Sequence, residues 1–237
     1  MEGLKRSRDQ SVATILLANW RTLGPGARQQ ALSLLQSRPE WSQLLLDAIE
    51  SGRIAAGEIG TAAQQKLTTS RDASISSRAE KLFTAIRADR RALVRQYASE
   101  LPTKGDSTKG AALFKQNCAV CHRLHGEGVE IGPDLAMITG KPTEVLLEAI
   151  LDPNSAVEAR YLSYNVTTRN GRELSALISA ETPTSITLRS QGGVEEVLLR
   201  SDITEMKSSG LSLMPEGLEK AFKPEDMADL LAFLRQK

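Results

Sequence analysis

Aromatic side chains make up only 4% of this 237-residue chain, and cysteine and histidine occur twice each. With so few large rings, the cores must be built from aliphatic side chains and alanine. No apolar run approaches the ~20 residues of a membrane-spanning helix, which leaves no candidate transmembrane segment. The N-terminus has a basic patch, Lys5, Arg6 and Arg8, but Ile15-Leu16-Leu17-Ala18 behind it is too short for a secretory leader's apolar region. A large excess of either charge is missing too. Residues 1–100 carry 15 Lys/Arg against 10 Asp/Glu, and residues 101–237 carry 15 against 19. Neither part is basic enough for a nucleic-acid surface, so no nucleic-acid partner is expected. At 41% hydrophobic and 25% charged, the chain has the composition of a globular protein. Its length fits one large domain or two ordinary ones.

Both cysteines and one histidine fall in a single run, Cys118-Ala119-Val120-Cys121-His122. C-x-x-C-H is the spacing of covalent c-type haem attachment. On one helical turn, residues i and i+3 share a face, so two thiols there can each form a thioether with a haem vinyl group. The following histidine can then serve as the proximal axial ligand. Three other readings compete. A redox dithiol expects a thioredoxin-like β-α-β context, which is absent. A structural zinc site needs four ligands, whereas Cys118, Cys121 and His122 or His125 supply three. The third alternative is a plain disulfide.

Haem iron needs a second protein ligand or an open face, and the choice sets its function. His125 lies three residues after the proximal position, on the same side, and cannot be carried around the ring by so short a loop. With no third histidine, methionine remains. Met227 falls on the apolar stripe of a final helix and reads as core, and Met137 follows too closely. Met206 and Met214 flank the segment Lys207–Leu213, and Pro215 stiffens the chain beside Met214. Met214 is the expected distal ligand, with Met206 second.

Along the chain, residues 10–100 read as short helices. Gly24-Pro25-Gly26 and Arg38-Pro39 separate the first three, and further helices fit Glu58–Leu67, Ser76–Ile86 and Arg90–Leu101. Helix pairs with short loops suggest a HEAT-like scaffold. Pro102–Thr108 is a linker. A helix leads into the cysteine motif, and Pro142 opens another that ends at Asp152-Pro153-Asn154. The period then changes to 2, with hairpins at Arg169-Asn170-Gly171-Arg172 and Gln191-Gly192-Gly193. Four strands over Tyr161–Arg200 predict a four-stranded antiparallel sheet. Pro224 starts a helix with Met227, Leu230, Leu231 and Leu234 on its apolar face.

These residues resemble class I cytochrome c. Gly110-x-x-x-Phe114 before Cys118 and Leu230–Leu234 with Phe233 match that family's terminal helices. The resemblance implies that the two helices cross, Gly110 permitting close approach and Phe114 packing near Phe233. Gly132-Pro133-Asp134-Leu135 matches the segment whose proline carbonyl accepts the proximal histidine's Nδ1–H, with Leu135 against the haem. Met214-Pro215 matches the distal methionine loop. More narrowly, Ile150–Asn154, Tyr161 and Ser212–Leu218 make the chain similar to the planctomycete/verrucomicrobial-type haem-binding domain. That domain follows HEAT-like helices at the C-terminal end of large membrane-associated dehydrogenases.

The expected fold is therefore mainly α with a β insertion. Residues 1–101 are the helical scaffold and 107–237 a cytochrome c domain, its haem core 107–160 and 207–237 and its β insertion 161–206. The expected function is electron transfer through one covalently attached haem c, from a partner or fused dehydrogenase to an acceptor. An open distal site with peroxidase-like or gas-binding chemistry, or a zinc-bound interaction module, is the alternative. Haem attachment takes place outside the bacterial cytoplasmic membrane. A periplasmic or otherwise exported location follows, with Met1 opening a piece of a longer protein.

Overall fold

The computed structural model describes residues 9–86 and 88–236, without the side chain at position 89, so Lys5, Arg6 and Arg8 lie outside the described residues. Five helices come first: α1 (Ser11–Ala18), α2 (Pro25–Leu35), α3 (Pro39–Glu50), α4 (Gly60–Thr68) and α5 (Ala73–Ala85). Pro25 and Pro39 occupy first turns, where the missing N–H costs nothing. The helix expected over Glu58–Leu67 is split into a 3-10 turn at Ala56–Ile59 and α4. Then follow α6 (Ala88–Glu100), α7 (Ser107–Asn117), the two-residue strands β1 (Arg123–Leu124) and β2 (Glu127–Gly128), and α8 (Thr143–Leu151). Strands β3 (Leu162–Thr168), β4 (Glu173–Glu181), β5 (Ser185–Arg189), β6 (Glu195–Leu199) and β7 (Ile203–Ser212) precede α9 (Pro224–Leu234).

The sheet has five strands in the order β6-β5-β4-β3-β7, not four. The four expected strands form, and β3 pairs with β4 through Tyr164↔Ala176 and Val166↔Leu174. The added strand is β7, which the Ser- and Gly-rich sequence around Lys207–Leu213 disguises as a loop. Tyr164 and Val166 are buried, and the second edge of β3 needs partners for its backbone groups. Ile203–Ser212 supplies them, with register shifts at both ends of the pairing. Met206 thus lies within a strand, opposite Val166.

The chain folds as two compact units that interleave along the sequence. The first takes α1–α5 with Asn154–Thr187 and Val197–Leu213. Its core is aliphatic around Trp20 and Trp41, both essentially sealed from solvent. Within it, the Arg28 guanidinium and the Glu58 carboxylate form an ion pair with neither side chain exposed. Glu58 also accepts from Trp20 Nε1 and the Ala55 N–H, each at 3.0 Å. Arg28 Nη2 donates to Trp20 O at 2.9 Å, and Tyr164 OH donates to Leu23 O at 2.9 Å. A buried charge is tolerable when paired and hydrogen-bonded in this way.

The second unit takes α6 through Pro153, Leu188–Glu196 and the segment from Met214 through α9. Although α6 directly follows the first five helices in sequence, its Leu93, Val94, Tyr97 and Ala98 join the second unit's core with Phe114, Leu146, Leu147, Leu230 and Phe233. Helices α7 and α9 pack closely here. A Cβ on Gly110 would stand 2.0 Å from Asp229 O, so only glycine permits the approach. Phe114 and Phe233 meet with ring centroids 5.3 Å apart. Met227 is fully buried, as its core assignment requires.

Replacing Glu58 with alanine leaves Arg28 charged and unpaired in the first core. The expected loss is about 3–5 kcal/mol, read as a lower urea midpoint with little change in slope.

Candidate functional site

Asp106 caps α7 by accepting from the Thr108 and Lys109 N–H groups, which sets where the helix begins. Its last residue is Asn117, so the cysteine run follows the helix and does not lie on it. One further helical turn forms nonetheless: the Cys121 and His122 N–H groups donate to Cys118 O at 3.0 and 2.8 Å. Cys118 and Cys121 thus stand one turn apart, both as free thiols and both half-buried. Burial, aided by the nearby Cys121, pushes the Cys118 thiol up to about 11, and burial raises Cys121 as well. A redox dithiol needs the opposite, a thiol pKa brought below its ordinary value.

His122 Nδ1 lies 2.9 Å from Pro133 O. A carbonyl only accepts, so Nδ1 carries the proton and the Nε2 lone pair is left for another partner. The ring passes directly over Gly132, where a Cβ would stand 2.5 Å from His122 Cε1. Burial lowers the His122 pKa from its ordinary value, and the hydrogen bond to Pro133 only partly opposes this. The neutral imidazole is the metal-binding form. The Pro133 segment is held in place by the Ile131 and Gly132 N–H groups donating to Cys121 O, and Leu135 beyond it is buried in the second core.

His125 is exposed, has φ +51°, and its ring meets Phe233 edge-on at 5.4 Å. It is packing on the α9 end, in keeping with its reading as a loop residue. Met137 is 82% exposed. Met214 opens the last segment of the second unit and is half-buried. The chain after it is tied to α6: Arg90 pairs with Glu219 at 2.7 Å, and Tyr97 OH donates to Glu219 O and Phe222 O. The sequence offered no sign of this brace, because Arg90 and Tyr97 sit 129 and 122 residues before Glu219.

Among the described residues, no three His, Cys, Asp or Glu side chains gather as metal ligands, which disfavours the zinc reading. Two free thiols one turn apart, a neutral imidazole with Nε2 available and a glycine under its ring do fit a covalently held haem.

Comparison with known proteins agrees. Residues 107–170 match the cytochrome c family and form a cytochrome c domain. Over 46 residues the chain is 48% identical to cytochrome c of Arabidopsis thaliana, covering 19% of this chain and 41% of that protein. It is 54% identical over 41 residues to cytochrome c of Cochliobolus lunatus, 17% of this chain and 38% of the relative. A cytochrome c-553-like protein of Synechocystis is 50% identical over 40 residues, 16% and 37% of the two chains. The chain thus spans about two fifths of the length of the curated relatives it matches. The domain implies one covalently attached haem c as cofactor. The family match ends inside the sheet region, and both Met214 and α9 fall beyond it.

Two measurements check this geometry. In haem-free protein the His122 ring is expected to stay neutral at pH values where an ordinary histidine is already protonated, as read from its ring NMR titration. Below the ordinary value the unfolded chain then binds more protons than the folded one, so this group's contribution to stability falls as pH falls. Gly132→Ala is expected to displace the ring and cost about 1–3 kcal/mol of overpacking, read by thermal or urea unfolding.

Proposed function

We propose that the second unit carries, within residues 107–237, a mono-haem electron-transfer module whose iron His122 and Met214 would ligate. The observation that carries this reading is the His122 Nδ1–H···O hydrogen bond to Pro133 beside two free thiols. Cys118 and Cys121 hold the cofactor covalently. His122 presents Nε2 in one fixed tautomer, and the Pro133 carbonyl orients the ring and raises its basicity. Leu135 offers an apolar wall. When bound, the haem supplies a one-electron couple, and His/Met ligation sets that couple at comparatively high potential because the soft thioether favours the reduced metal.

Met214 is favoured over Met206 by its place. Met206 is held in β7 opposite Val166, whereas Met214 stands at the start of a segment braced on α6. The first unit's helices act as a scaffold that presents the module to a dehydrogenase partner or fused dehydrogenase domain. An exported location follows from haem attachment outside the cytoplasm. No described helix is long and apolar enough to cross a membrane.

Protein matured with a cytochrome c attachment system is expected to show sharp α and β bands on reduction. Met214→Ala should lower the reduction potential and open a site that binds cyanide. An unchanged spectrum in this variant would move the ligand elsewhere. Replacing both Cys118 and Cys121 with alanine should leave any haem extractable by acid acetone, and retention under that treatment would remove the covalent reading.

A further inference from the structure

The turn between the two cysteines exposes four backbone carbonyls, and the cytochrome core itself satisfies three. Cys118 O accepts from Cys121 and His122, Ala119 O accepts from the Val129 N–H at 3.0 Å, and Cys121 O accepts from Ile131 and Gly132. The fourth, Val120 O, accepts from the Gly192 N–H at 3.2 Å. Gly192 belongs to the β5–β6 hairpin tip, Leu188–Glu196, which is part of the second unit.

Two more contacts join the same tip to the same loop. Arg189 Nη1 donates to Glu130 O at 3.0 Å, while Glu195 holds the guanidinium from across the hairpin at 2.6 and 2.8 Å. Gly193 lies so close that a Cβ on it would stand 2.6 Å from Val129 Cγ1. Gly192 and Gly193 have φ of +82° and +79°, a tight turn that side-chain-bearing residues rarely adopt. A plain hairpin turn does not need the arginine reach to Glu130 O.

With Cys118 and Cys121 as the residues that would carry the thioethers, the peptide between them would be the attachment peptide of a bound haem. We propose that Arg189, Gly192 and Gly193 are positioning residues, forming a strap that holds this attachment peptide and limits water beside it, so that the β5–β6 tip helps set the reduction potential. The inference rests on the haem reading above. Water beside the metal centre favours its more highly charged oxidised form, so loosening the strap lowers the potential.

The test uses haem-loaded protein and a matched pair, Gly193→Ala and Gly171→Ala. Gly171 turns the β3–β4 hairpin at φ +79° as well, but a Cβ there meets nothing within 4 Å. Both variants carry the same backbone strain, and only one disturbs the strap contact. Gly193→Ala and Arg189→Ala should lower the midpoint potential. They should also speed amide exchange at Gly192 and in peptides spanning 118–122 by about tenfold, as expected for loss of one hydrogen bond. Gly171→Ala should do neither, at similar cost in stability, and Arg189→Lys, which keeps one donor for Glu130 O, should restore most of the potential. If Gly193→Ala does not fold, the half-exposed Arg189 pair carries the test. Unchanged potential and exchange in the Arg189→Ala and Gly193→Ala variants, or equal shifts in Gly171→Ala, overturns the strap. Wild-type protein that takes up no covalent haem overturns the earlier reading instead.

Discussion

The second unit depends on the close packing of two helices at one glycine. Gly110 has no side chain where the backbone of Asp229 passes, and that omission lets α7 and α9 pack close enough for Phe114 to meet Phe233. The cysteine turn begins where α7 ends, so its position is inherited from this crossing. Phe233 also receives the edge of the His125 ring, which ties the loop after the turn to the same helix. A side chain at 110 would push the helices apart and disturb everything that hangs from the end of α7.

From that anchor the site is built almost wholly from backbone groups. Cys118 O closes the turn, Ala119 O and Cys121 O receive the following loop, and Pro133 O fixes the imidazole tautomer. Side chains are thereby left for chemistry: two thiols, one Nε2 lone pair and an apolar wall. Burial keeps the thiols protonated and the histidine neutral. That suits attachment and ligation and does not suit dithiol redox catalysis.

Legibility followed the range of the forces involved. C-x-x-C-H, the Gly132–Leu135 segment and the α9 stripe were readable because each is a local pattern with a direct geometric meaning. So were the four expected strands, with Gly171 turning the first hairpin. Strand β7 was hidden: Lys207–Leu213 has the composition of a loop and becomes a strand only because β3 has an edge to fill. Helix α6 was readable as a helix, but nothing in its stripe says which of two cores it joins.

By itself, the sequence determined the cytochrome c likeness of residues 107–170, since that likeness and the spacing of two thiols and an imidazole are properties of short runs. It also determined the helical and strand periods, which side-chain alternation dictates. Tertiary structure alone decided that the units interleave, that α6 braces the chain after Met214, and that the β5–β6 tip supplies the donor for Val120 O. The reason is physical. Which distant segment satisfies a buried carbonyl or a free strand edge depends on the packing of the whole chain, and no local periodicity records it.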